Sequence, residues 1–177
     1  PLSKKRGPVY SRLVDRITQD IGLIDKKQLA GREIVHVPVT YGGEFGRDFD
    51  HVLRKCGLSR EEFIDIHCAR SYIVYMIGFA PGFPYLGPLD DRLIVPRKNR
   101  PREKVPLGSV AIASSMTGIY PGAYPGGWNL IGRTPMKMFD ISQEKSSRLV
   151  MGDRVKFYPI DQNQFQFFDE KKTSRLL

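Results

Sequence analysis

The sequence predicts a mainly β fold: a barrel or sandwich of short strands, with a short helical insert and an amphipathic helix in front. Three observations predict it. Short apolar runs rich in β-branched and aromatic residues recur from Ser71 onward. Gly and Pro punctuate nearly every junction between them, as in barrels and sandwiches. Helical spacing is confined to the stretch before residue 70.

Residues 8–22 open with Pro8 in a first-turn position. Tyr10, Leu13, Val14, Ile17 and Ile21 then recur at three- and four-residue spacing, which makes one apolar face. That face either caps the following domain or has lost its own partner elements. Residues 33–39 alternate, with Val35, Val37 and Val39 on one side, and Pro38 places this strand at an edge or a strand end. Gly42-Gly43 breaks it. Two short helices follow. Asp48 caps the first, Phe49, Val52, Leu53 and Cys56 face inward, and Gly57 ends it. Ser59 and Glu62 form a capping box for the second, which runs to about Ile66. Beyond Ser71, Tyr72–Ile77 and Val110–Ala113 read as buried strands. Leu130–Gly132, Lys137–Asp140 and Arg154–Tyr158 are further short ones. From Asp161 the tail is polar with scattered phenylalanines. The expected division is an N-terminal helix and linker over 1–30, a main domain over 31–160 and a tail over 161–177.

Composition narrows the function. No apolar stretch reaches membrane-spanning length. The two cysteines, Cys56 and Cys68, sit in segments read as helix and helix end, which suits a reducing cytoplasm better than a disulfide framework. No CxxC or HxxxH spacing occurs, so no metal site is expected. The net charge of +9 suggests a polyanion partner at first sight. Its placement argues otherwise. Lys4, Lys5 and Arg6 lie at one end and Lys171, Lys172 and Arg175 at the other, and Pro101 interrupts the internal run from Arg97 to Lys104. The helix–turn–helix outline does not restore a nucleic-acid role, because Glu61, Glu62 and Asp65 would face phosphates.

Three loops are dense in Gly, Pro and aromatic residues: residues 78–86, 96–109 and 117–128. Prolines stiffen such loops, and glycines let backbone approach closely. The loops carry Phe79, Pro81, Phe83, Tyr85, Tyr120, Tyr124 and Trp128. These side chains make either a preformed binding surface or the filling of a barrel mouth.

The motifs GFAPGFPYL, PRKNRPREKVPLGSVAIA, TGIYPGAYPGGW and LIGRTP stand in the order and spacing of the KipI/PxpB family. The chain resembles that family from about Val37 to about Tyr158. The resemblance implies a cyclophilin-like β-barrel, preceded in the family by a smaller α/β domain that is missing here apart from the opening helix. It implies a non-autonomous subunit or a module for docking to another protein. Similar proteins are the B component of ATP-dependent 5-oxoprolinase, which opens 5-oxoproline to glutamate with a larger subunit of related fold (PxpC/KipA-like) and a third subunit. One branch inhibits a sporulation histidine kinase by blocking its autophosphorylation, which makes the kinase dimerisation domain a further expected partner. The alternative is a purely enzymatic subunit of an allophanate hydrolase-like or carboxyltransferase assembly. No prolyl isomerase activity follows from the fold label.

The family's usual Gln before TGIYP is Met116 here, the usual Ser before PGGW is Tyr124, and the usual GPDL reads Gly46-Arg47-Asp48-Phe49. Two polar groups are lost, which fits a binding role. No Walker motif and no GxGxxG is present, so no cofactor is expected on this chain alone, and ATP is left to the assembled complex. The candidates for polar work are His67, Arg97, Arg102, Arg133 and Asp140. His67 is the expected acid/base, or else a helix-terminal histidine satisfied by a carbonyl. Arg97 and Arg102 form a carboxylate clamp or a solvated basic loop. Arg133 and Asp140 read as a pair between strands. Thr117 joins the binding set as the first residue of the third loop.

Overall fold

The computed structural model describes residues 8–22 and 34–169. The chain divides into two compact units between Arg32 and Glu33. The first contains α1 (Pro8–Gly22), on which Val9, Leu13, Val14 and Ile17 are exposed. The side chain of Ile21, the linker that follows α1 and both basic ends lie outside the described residues.

The second unit is a closed barrel. Its strands are β1 (Ile34–Tyr41), β2 (Tyr72–Ile77), β3 (Pro84–Gly87), β4 (Ser109–Ala113), β5 (Met116–Ile119), β6 (Asn129–Arg133) and β7 (Arg154–Pro159). They run round the barrel in the order β1-β6-β4-β5-β3-β2-β7. All neighbours are antiparallel except β1 and β7, which pair in parallel from Ile34↔Arg154 to Val39↔Pro159. This architecture is the mainly β barrel of the cyclophilin-like type that the motifs implied.

Pro38 shows how a closed barrel accommodates a residue without an N–H. The Val39 carbonyl accepts from Ile160 N–H on the β7 side, so Pro38 next to it turns its nitrogen toward β6. There β1 pairs with β6 only at Thr40↔Arg133 and Tyr41↔Gly132, and no ladder bond is lost at Pro38. The strand is an edge locally while the barrel has none.

Two helices lie between β1 and β2. In α2 (Phe49–Cys56) the left-handed Gly57, at φ 67°, ends the helix and returns its N–H to Leu53 O. In α3 (Arg60–Ala69) the Ser59–Glu62 capping box forms as the sequence indicates, and the helix continues past Ile66 to Ala69. After β7 the polar tail opens with a short helix, α4 (Gln162–Gln166), closed by its own Asp161–Gln164 capping box. Phe165 of α4 meets Phe45, with ring centroids 4.8 Å apart.

Three stretches need correction. Lys137–Asp140 is not a strand: only Phe139↔Ser147 bridges there, and Asp140 holds a turn through Ser142 N and Oγ. Arg133 consequently does not pair with Asp140; its Nε donates to Leu107 O and its guanidinium lies over Phe165. Conversely, β3 and β5 lie inside stretches read as loops.

The barrel wall separates two apolar clusters. Strand alternation sends Leu86, Val110, Ile112, Ile119 and Ile131 inward, where they join Val37, Val39, Phe63, Tyr72 and Phe157. It sends Tyr85, Ala111, Ala113 and Leu130 outward, where they join Phe83, Val105, Tyr120 and Trp128.

Candidate functional site

The outward cluster is built by the three loops. Each rests on a strand whose outer face is small: Ala111 and Ala113 on β4, and Gly118 on β5. A Cβ on Gly118 would press on the Phe83 ring, so glycine there makes room for it. Phe83 sits at the centre, edge-on to Tyr85 at 4.9 Å, Tyr120 at 5.1 Å and Trp128 at 5.6 Å. Phe83, Tyr120 and Trp128 are buried, and Tyr85 and Tyr124 are half-buried.

Phe79 is different. It is 61% exposed, yet its ring lies edge-on to Phe83, Tyr120 and Tyr124. Its φ is 67°, and Ala80 N–H bonds to Gly78 O at 2.8 Å around it. This is a γ-turn of the rare positive-φ kind, an uncommon place for a bulky residue. Backbone strain of this sort concentrates at functional positions. Pro81, also exposed, follows it.

The second and third loops are laced together. Arg102 and Gly126 exchange backbone bonds of 2.8 and 2.9 Å, Lys98 N–H reaches Gly127 O at 2.8 Å, and Val105 N–H reaches Tyr124 O at 2.8 Å. A Cβ on Gly126 would collide with the Tyr120 hydroxyl, so only glycine allows this approach. Beneath the lacing lies Asp48, which is 5% exposed. Its Oδ1 accepts from Lys98 Nζ at 2.8 Å and Arg102 Nη2 at 2.7 Å, and its Oδ2 from Leu130 N–H at 2.8 Å. Burial pushes this carboxyl up, but Arg102, Lys98 and the Leu130 amide outweigh burial and hold it below its ordinary value. The side chain of Asp48 therefore does not cap α2, as the sequence suggested; it makes no cap hydrogen bond. Nothing local in the sequence marks Asp48 or Lys98 as partners.

His67 and Thr117 face the other way. His67 is fully buried inside the barrel, stacked on Phe157 at 4.6 Å. Its Nδ1 lies 2.7 Å from the Tyr41 hydroxyl and its Nε2 lies 3.3 Å from Thr117 Oγ1. Thr117 donates its own proton to Ala111 O at 3.1 Å. It must then accept from His67 Nε2–H, so Nδ1 is the acceptor for Tyr41. Burial drives His67 down to about 3, so it is neutral at physiological pH. Among the described residues, the structure brings Phe79, Phe83, Tyr85, Tyr120, Tyr124 and Trp128 onto one face. Arg102 is tied beside them and Arg97 is exposed in the same loop, while His67 and Thr117 stand behind the wall.

The outward face is thus an aromatic surface on a small closed barrel, with a basic loop laced to it. The family of carboxyltransferase domains, subdomain C and D, matches residues 5–149, and the chain belongs to it, in the KipI/PxpB branch. It is 49% identical over 140 residues to the B component of 5-oxoprolinase from Bacillus subtilis, covering 79% of this chain and 58% of that protein. It is 45% identical over 148 residues to the B component of 5-oxoprolinase from Haemophilus influenzae, covering 84% and 69%. A crystal structure of a conserved uncharacterized protein from Pyrococcus horikoshii is similar at 43% identity and a TM-score of 0.73, covering 89% of this chain and 70% of that one. The chain thus spans little more than half of the Bacillus relative.

Proposed function

We propose that this chain is the docking part of a 5-oxoprolinase B component, working in the cytoplasm only with a larger subunit of related fold and a third subunit. The observation that carries this reading is Phe79, an aromatic ring held outward by a strained turn at the open edge of a rigid aromatic face. Interface anchors favour such residues, and a stiff loop loses little entropy on docking. The relatives are named as subunits of 5-oxoprolinase, which supports a partner within such an assembly. The chain has no phosphate-cradling motif, and α3 and α4 use their first-turn amides in their own capping boxes. In this reading ATP is left to the other subunits.

A second reading is inhibition of a sporulation histidine kinase through its dimerisation domain. It is favoured by Tyr124, which widens the aromatic face where the family carries a small polar residue. The two readings part in one titration of the parent chain and Tyr124→Ala against the larger subunit and against the dimerisation domain. Tyr124→Ala weakens binding to the true partner by about 1–2 kcal/mol, as expected for an interface anchor. Equal affinity of parent and variant for both proteins would remove the face as the interface. ATP-dependent glutamate release by the chain alone would show that it needs no partner.

A further inference from the structure

A second stretch of the barrel wall carries apolar residues that the fold does not bury. Strand β2 is irregular: Val74 pairs with Leu86 and Met76 with Tyr85, so Tyr75 is an extra residue on its side of the ladder. A bulge of this kind re-aims a side chain. Here it turns two neighbours the same way, with Tyr75 49% and Met76 47% exposed, where regular alternation sends one of the two inward. Gly87 makes room for the first, because a Cβ there would meet the Tyr75 ring at 2.6 Å. The strip is continuous with the aromatic face. Met76 stands opposite Tyr85, which packs on Phe83 and Trp128, and the Met76 methyl reaches to Gly78, the residue before Phe79. In the other direction Ile73, also exposed, pairs with Arg154 of β7, and Arg154 pairs with the exposed Ile34. The strip has one sign of charge. β1, β2 and β7 contain no Asp or Glu, while β7 turns Val155 and Phe157 into the core and so sets Arg154 and Lys156 on its outer face. Among the described residues neither cation makes an ion pair. Asp153, next to Arg154 in the chain, accepts from Val150 N–H at 2.8 Å.

We propose that the protein docked on the aromatic face continues along β2 as far as Arg154, and meets this strip with an apolar surface that carries an acidic side chain opposite Arg154. Contiguous exposed apolar surface with a polar rim marks an interface, and complementary charge at the rim fixes its register. A second copy of this chain fits the strip worse, because two like strips set cation against cation. The proposal deepens the docking reading above and rests on it for the identity of the partner, the larger subunit.

The test titrates the larger subunit with the parent chain, Tyr75→Ala, Arg154→Glu and Tyr124→Ala, at low and at high salt, with thermal unfolding of each chain as the control for folding. Arg154→Gln, which removes the charge without reversing it, replaces Arg154→Glu if the reversal unfolds the chain. Tyr75→Ala and Arg154→Glu are each expected to weaken binding about tenfold, and the salt dependence seen with the parent should shrink in Arg154→Glu. Parent-like affinity in both strip variants overturns the proposal. The docking reading then survives if Tyr124→Ala binds more weakly than the parent, and falls as well if it does not. Sedimentation of the chain alone checks the rival occupant. A dimer of the parent that Tyr75→Ala and Arg154→Glu dissociate would assign the strip to a second copy and overturn the proposal equally.

Discussion

The two sides of the barrel wall handle buried polarity in opposite ways. Inside, His67 is shut away from water and every polar partner is accounted for: Tyr41 donates to one ring nitrogen and Thr117 accepts from the other. Outside, Phe83, Tyr120 and Trp128 are equally buried, but they end in an exposed Phe79 and in an Arg102 with an N–H left over. A satisfied polar network rigidifies a core and gives a ligand nothing to add. Arg102 Nη1 is itself buried, and an unpaired buried donor costs stability. The histidine, chemically the more versatile group, is thus the one closed to solvent. Position relative to the wall decides this, and residue type does not.

That contrast can be broken in three ways. The largest effect is expected from Trp128→Ala. The ring is 5% exposed and packs on Phe83 and Tyr85, so its loss should cost about 3–5 kcal/mol in urea or guanidinium unfolding. A loss below about 1 kcal/mol would mean that the outer cluster is not a true core. Next comes His67→Leu, which takes the ring-nitrogen acceptor from the buried Tyr41 hydroxyl and should cost about 2–3 kcal/mol at neutral pH.

The same histidine gives a pH signature whose sign is fixed. Burial lowers its pKa from 6.5 to about 3 in the folded chain. The unfolded chain therefore binds a proton that the folded chain refuses. His67 contributes its full stability above pH 6.5 and loses it between there and about 3. The slope is about 1.4 kcal/mol per pH unit. Unfolding curves of the parent and His67→Leu should converge as pH falls through that window; parallel curves would show that His67 is protonated or solvated in the native state.

The smallest effect on stability is expected at the open edge. Phe79→Gly removes an exposed ring and relieves a backbone that sits at φ 67°. Stability should stay level or rise by up to about 1 kcal/mol, while partner binding falls. A clear loss of stability would make Phe79 part of the core and would sharpen the boundary between the two regions inward.

Much of the barrel was legible in the sequence, for local reasons. The Ser59–Glu62 box and Gly57 act through bonds to their own neighbours, and β1, β2 and β7 carry strand patterns of their own. The strands β3 and β5 were not legible because Pro84, Gly87 and Gly118 read as punctuation. In the barrel Gly118 is short so that Phe83 can lie over it, a reason visible only across strands. Asp48 is the same lesson for the site. A carboxylate ahead of a helix predicts a cap, but Lys98 and Arg102 outcompete the local amides from far along the chain. The burial of His67 did leave a trace: Phe63 stands four residues earlier, on the same face of α3.

The parallel pairing of β1 with β7 has a mechanical side. The first strand of the barrel and the last lie side by side over six matched pairs, from Ile34↔Arg154 to Val39↔Pro159. In a parallel pair the leading end of one strand and the trailing end of the other lie at opposite ends of the ladder. A pull between residues 34 and 159 therefore loads all six pairs together, in shear, instead of unzipping them one by one. Tension reaching the barrel through the chain on either side of it meets the fold along its most resistant direction.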